Sequence, residues 1–386
     1  MNRPPARVYF QCRNDRLAYH DDVVVLAEGL RELGVEIYGN CNYWQRSLDP
    51  QDYLVRHDPR IGPDECDIYI VSYCWTSWMD TDFKSYPQPI PPPVFRSGRR
   101  YRTAYLDFAD GYLSDSFAPE YRKFDAVFRT KYNERCEHPS NHIPWAMGLS
   151  PRVIAYTADS LPWEQRAPDL LVNFNASHPY VHSGRALMDH HFTPKVRRLL
   201  CVNSERDNLK EPPADPLDQL FWEQAQRRHS RSFYQRLGRS QAVSAFCGEL
   251  VPASPFRPPY LVGGGRARLL RRLHEALGRF DPRPPRLIQW DSWRFWESLA
   301  AGCLVFNFDL LHYGVRLPVM PENFVHYIGV RPESVDAAIA RLAADPGLAK
   351  RVAQQGHDWA MTHYSPRAIA RDFLTRIEAL PALCQS

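Results

Sequence analysis

Short apolar runs rich in β-forming residues recur at residues 7–12, 67–73, 103–107 and 125–129, and their length and composition predict strands. Between the first and second, DDVVVLAEGLRELG repeats its apolar positions at helical spacing. Asp21 and Asp22 open it, where acidic side chains suit the positive helix end, and Gly34 closes it. The pattern restarts after NHIPWAMGLSPRV, with strand-like runs at 170–175, 242–246, 286–290 and 303–308. Strands separated by helical or long connections predict parallel, doubly wound sheets. Two such series in one chain predict an α/β protein of two Rossmann-like lobes facing a central cleft.

The predicted divisions are an N-terminal lobe over 1–150, a C-terminal lobe over 151–365 and a last helix over 366–386 that crosses back to the first lobe. Residues 331–380 read as three helices, the last opened by Ser365 as N-cap and Pro366 at the first helical position. The Pro-rich stretches at 87–93 and 252–259 lie inside lobes and read as stiff surface loops.

Composition adds limits. A chain of 386 residues exceeds what one core usually organises, which agrees with two lobes. The 48 basic and 44 acidic residues nearly cancel, so no nucleic-acid partner is expected, although a local anionic ligand remains compatible. No apolar run of about 18 residues predicts a membrane span, and the N-terminus lacks the pattern of a secretory signal. A cytoplasmic protein, at most peripheral to a membrane, is expected. Nine scattered cysteines without a C-x-x-C pair read as reduced thiols.

The most informative segment is LIQWDSWRFWESLAAGCLVFNFDL: a strand, a turn with Asp291, a helix carrying Arg294 and Glu297, then a second strand. A strand feeding a helix N-terminus makes a place for phosphate, and a carboxylate one turn in can accept both ribose hydroxyls. The same pattern also suits a plain βαβ unit with an internal Arg294–Glu297 ion pair. RFWESLAAGCLVF resembles the donor-site signature of the "glycosyl transferases group 1" proteins, particularly the spore-maturation-like subset with R-x-x-E-x-x-x-x-G. The exostosin family has a similar run. NHIPWAMGLSPRV and RSFYQRLGRSQAVSAFCG resemble the interdomain segment and the helix and strand ahead of the donor site in the same superfamily.

The resemblance implies the GT-B fold and a glycosyltransferase taking a sugar from a nucleotide-diphosphate donor. It implies ribose binding by Glu297, with Arg294 and Asp291 in the same site. Many retaining members carry a second glutamate eight positions earlier, where this chain has Gln289.

Other candidates follow from position. LLVNFNASHPYVHSGR places Asn175, Ser177, His182 and Arg185 on a strand-to-helix loop, where Arg185 and backbone amides could hold a pyrophosphate, or Arg185 could simply begin a helix. Gly263–Gly265 ahead of a basic helix lack the Lys-Ser/Thr of a P-loop and read as a mobile loop. In the first lobe, CRNDRLAYHDD offers Asp15, His20 and Asp21 after a strand, with His20 or Asp21 as general base or as structural residues. YLDFADGY offers Asp107 and Asp110 as a carboxylate pair or as an aspartate-stabilised turn.

Asp80-Thr81-Asp82 imitates a D-x-D metal motif away from a strand edge, and His190-His191 lack a third ligand at zinc spacing, so no metal and no cofactor are expected. His312, Tyr313 and Glu322 occupy a region that lies beside the base and sugar in related enzymes, although FVHYIGV also reads as a core strand. The expected partners are a nucleotide-sugar donor and a hydroxyl acceptor of unspecified kind. A GT-B sugar-nucleotide epimerase and a non-catalytic sugar-nucleotide or glycan-binding protein are the alternatives, the latter suggested by Gln289.

Overall fold

A computed structural model of the chain describes residues 7–13, 21–76, 88–110, 115–173, 183–204, 212–225, 227, 231–252 and 283–381. Two parallel sheets dominate them. The first contains β1 (Arg7–Gln11), β2 (Glu36–Gly39), β5 (Ile68–Ser72), β6 (Arg102–Asp107), β7 (Ala126–Arg129) and β8 (His142–Pro144), in the order β2-β1-β5-β6-β7-β8. A hairpin of β3 (Tyr43–Gln45) and β4 (Tyr53–Val55) flanks it. All five residues of β5 are buried, as expected for a central strand covered on both faces.

The second sheet is built from β9 (Ala167–Leu171), β10 (Cys201–Asn203), β11 (Ser240–Ser244), β14 (Leu304–Phe308) and β15 (Ile328–Val330), ordered β10-β9-β11-β14-β15. The run expected at 286–290 does not join it. Only Arg286–Ile288 is extended, as β13, and it pairs antiparallel with β12 (Glu249–Val251) in a separate ribbon. The FVHYIGV segment does supply a core strand, β15, whose three residues are all buried.

The helices that matter for the site are α1 (Asp21–Glu32), α2 (Tyr73–Thr76), α3 (Pro151–Thr157), α4 (Ser183–His191), α5 (Thr193–Val196), α6 (Pro216–Gln224), α7 (Arg231–Leu237) and α8 (Trp293–Ala300). The tail folds as α9 (Val335–Ala344), α10 (Leu348–Tyr364) and α11 (Pro366–Glu378). Ser365 has the extended backbone of an N-cap and Pro366 sits at the first turn, but the serine side chain makes no capping bond.

Among the described residues, contacts between the two halves include three sets of side chains. Phe373 on α11 packs against Phe128 and Trp145 of the first half, with centroid separations of 4.8 and 6.3 Å. Trp44 stacks on Phe221 of α6, while Gln45 and Gln224 exchange two hydrogen bonds of 2.8 and 2.9 Å. Asn133, beyond β7, donates to the carbonyls of Leu287 and Tyr313 at 3.0 and 2.8 Å. These contacts join the two halves on either side of the intervening site.

Candidate functional site

In each sheet, successive connections leave in opposite directions from one pair of strands: β1 and β5 in the first, β9 and β11 in the second. The carboxyl ends at such a switch point form the crevice where doubly wound folds bind ligands. In the second sheet, the start of α4, the loop after β11 and the loop after β13 converge there. Gly184 N donates to Gly248 O at 2.9 Å. A methyl group on Gly248 (φ +92°) would lie 2.3 Å from Ile288 O, so this junction requires glycine for both close approach and left-handed backbone. Gln289 follows with φ +54°, an uncommon conformation for a residue with a Cβ. Such backbone often accompanies functional sites.

Arg185, next to Gly184, is 8% exposed. Its Nε donates to Phe246 O at 3.1 Å and its Nη2 to Cys247 Sγ at 3.3 Å, which fixes the guanidinium over the end of β11. Arg294, in the first turn of α8, lies close enough to feel that charge. Burial pushes the Arg294 guanidinium down to about 10, and the Arg185 cation pushes the same way, while Glu297 and Cys247 oppose it. Two guanidiniums, one over the end of β11 and one in the first turn of α8, gather positive charge here in a chain that is nearly neutral overall. Sequence reasoning proposed both residues separately; their adjacency depends on the fold, because 109 positions separate them.

Glu297 departs from the expectation of an open carboxylate. It is 2% exposed, and the Tyr234 hydroxyl of α7 donates to its Oε1 at 2.9 Å. The apolar residues Phe295, Trp296 and Leu299 carry α8 into the core and take Glu297 with them. A ribose diol can reach this carboxylate only by displacing protein that now covers it. Tyr234 was not singled out from the sequence; its only signal was its place in the RSFYQRLGRSQ helix.

Asp291 is also sequestered, at 3% exposure. Trp296 Nε1 donates to its Oδ1 at 2.6 Å. Burial raises the carboxyl to about 7 against the favourable influence of Trp296, Lys131 and the Met147 amide. It therefore stands at the junction between halves rather than on an open donor surface.

Asp107 is corrected more strongly. As the last residue of β6 it pairs with Arg129, the last residue of β7, at 2.6 Å, and neither side chain is exposed. Ser116 Oγ also donates to Asp107 Oδ2, and Ala109 N donates to Oδ1 at 3.0 Å. The carboxylate is buried among Arg129, Ser116 and the Ala109 amide, not open to the cleft as expected. Asp110 is exposed and forms an ion pair with the buried Lys131 ammonium, which also donates to Phe108 O at 3.2 Å. Lys131 escaped the sequence reading although it follows a predicted strand by two residues.

Asp21 begins α1. His20, Asp15, Ser177, Asn175, His182, Asp80, Asp82 and Gly263–Gly265 lie outside the described residues. Tyr313 is buried against Phe308, with ring centroids 5.9 Å apart, and serves the core. His312 is drawn to the interlobe contact by Arg135, which donates to its carbonyl. Glu322 donates its backbone N–H to His326 Nδ1 at 2.8 Å. Among the described residues, no group of three metal-ligating side chains converges, and no helix is long and apolar enough to cross a membrane.

The paired parallel sheets and their facing carboxyl ends define the GT-B glycosyltransferase fold. An alpha-glucosyltransferase in complex with UDP and a 13-mer DNA containing a central A:G mismatch is similar over 97% of this chain and 100% of its own, with TM-score 0.53 and 9% identity. The same enzyme type with UDP-glucose and DNA containing an abasic site gives TM-score 0.52 at 9% identity, over 96% and 98% of the two chains. A glycosyltransferase from Rickettsia africae ESF-5 gives TM-score 0.50 at 12% identity, over 97% and 98%. At these identities the likeness is one of fold. No protein-family model matches the sequence, and no curated protein matches it.

Proposed function

We propose that this protein is a glycosyltransferase that moves a sugar from a nucleotide-diphosphate donor to a hydroxyl acceptor without a metal ion. The observation that carries the reading is the Arg185–Arg294 pair at the switch point of the second sheet. A leaving nucleoside diphosphate gains negative charge as the glycosidic bond breaks, and fixed guanidiniums stabilise that charge through short charge-assisted hydrogen bonds. Burial strengthens the effect, because little water screens the interaction. Of the solved structures with this fold, the alpha-glucosyltransferase holds UDP or UDP-glucose, which supports a nucleotide-sugar donor here.

In this reading the Arg185 and Arg294 guanidiniums receive the diphosphate, and Gln289 offers an amide toward the sugar. Glu297 binds the ribose after exchanging its Tyr234 hydrogen bond for one from the diol. The first lobe presents the acceptor, with His20 or Asp21 as the base that removes the hydroxyl proton. Asp107 takes no part.

The test is calorimetric titration with UDP, UDP-glucose and uridine, followed by assay of UDP release with sugar acceptors. Binding of UDP much more tightly than uridine supports the diphosphate site. Equal affinity for UDP and uridine would remove the argument from the arginine pair.

A further inference from the structure

Two stretches of backbone pass between the halves of the molecule, and both run beside one carboxyl group. The first is 145–150, where Gly148 (φ +73°) packs so tightly that a methyl group there would lie 3.2 Å from Tyr364 O and 3.1 Å from Ile369. The second is the α10–α11 joint at 364–366, and Leu149 N donates to Tyr364 O at 2.9 Å, binding the crossings together. Asp291 stands against both. Its Trp296 partner lies with its ring centroid 4.6 Å from that of Tyr364, and the Met147 amide approaches the carboxyl from the first crossing.

Asp291 is 97% buried by its 3% exposure, and its Oδ2 has no hydrogen-bond partner. A buried carboxylate with an unmet acceptor is costly, and the neutral acid less so. Among the described residues, the charged or titratable groups that bear on it are Lys131 from the end of β7 and Tyr364 from the end of α10, with Asp110 behind Lys131. The Tyr364 hydroxyl is already engaged with Val319, donating to its carbonyl at 2.6 Å and accepting from its amide at 2.9 Å. Lys131 is the cation that can answer a new negative charge.

We propose that Asp291 is a proton-operated latch on the hinge between the two lobes. With the carboxyl protonated, the crossings hold the arrangement described above. Release of the proton to solvent leaves a negative charge between them, draws the Lys131 ammonium away from Asp110 and Phe108 O, and changes the angle between the lobes. The burial that raises this acid toward neutrality sets the change in a physiological range. The mechanism does not depend on which ligand fills the cleft.

The experiment uses the full chain without ligand, between pH 5.5 and 8.5. The ¹⁵N-indole resonance of Trp296 reports ionisation at Asp291, and small-angle X-ray scattering reports the lobe arrangement. The expected result is a single-proton transition with the same midpoint in both signals. Asp291→Asn abolishes both transitions. Lys131→Met, which removes the opposing cation, moves the midpoint upward by half a pH unit or more. If Asp291→Asn fails to fold, the wild-type curves and the Lys131→Met shift decide the matter. A Trp296 titration without any change in scattering overturns the latch, as does a midpoint unmoved in Lys131→Met.

Discussion

The Tyr234 hydroxyl lies 2.9 Å from Glu297 Oε1, and both side chains are buried. The carboxylate that resemblance assigns to ribose is thus held by protein before any nucleotide arrives. Binding must replace this hydrogen bond with at least an equivalent one, because an unsatisfied buried acceptor costs about 1–3 kcal/mol.

Tyr234→Phe tests that exchange. The variant should lose about 1–3 kcal/mol of stability in urea denaturation. Its thermal midpoint should rise more on adding UDP than that of the wild type, because the ribose then supplies the hydrogen bond that Tyr234 no longer gives to Glu297 Oε1. An unchanged UDP-induced shift would separate Glu297 from the ribose.

Arg185→Ala and Arg294→Ala should each weaken UDP binding by about 10- to 100-fold, since a hydrogen bond to a charged group contributes about 1.5–3 kcal/mol. Uridine affinity should not change. Because the two guanidiniums repel each other in the empty site, the double variant should lose less than the product of the single effects. Calorimetry with both ligands measures all three outcomes.

Asp107→Asn should act on stability rather than on chemistry. Removing one partner from the fully buried Asp107–Arg129 pair leaves an uncompensated charge, at a cost of about 3–5 kcal/mol. The denaturant midpoint should fall accordingly, while the variant that remains folded keeps its UDP affinity. A large loss of affinity at unchanged stability would restore Asp107 to the site.

These outcomes mirror what could be read from the chain. The runs at 7–12, 67–73, 103–107 and 303–308 are apolar over several consecutive residues, and each forms a strand within a residue or so of those limits. β2 was missed because EIYG is short and partly exposed, with no apolar run to mark it. The run at 286–290 looked like a parallel strand because periodicity reports burial, not partner; the left-handed turn at Gln289 ends it after three residues.

The site was legible in part for a similar reason. Arg185 and Arg294 stood out through their places on strand-to-helix turns, whereas the burial of Glu297 depends on Tyr234 arriving from α7, 63 positions away. Asp107 looked like a cleft residue because it ends a strand. Its neutralisation needed Arg129 at the paired position of β7, which the register supplies.

Stability should also depend on pH through His138 and His142. Burial pushes each imidazole down to about 4, below the ordinary value of 6.5. The unfolded chain then binds more protons than the native one between these limits. Their contribution is complete above about pH 6.5 and lost as pH falls toward 4. Asp291, raised from 3.8 to about 7, has the opposite sign: its contribution declines as pH rises across that interval. Urea denaturation at several pH values should show a flatter acid limb for His138→Gln and for His142→Gln, and a smaller loss toward neutral pH for Asp291→Asn.

The arginine pair is most directly tested by a crystal structure of the protein with UDP. The account predicts the diphosphate within hydrogen-bonding distance of the Arg185 and Arg294 guanidiniums, with the ribose at Glu297 and the Tyr234 hydroxyl displaced. UDP bound with its phosphates away from both arginines, while Glu297 keeps its Tyr234 partner, would contradict it.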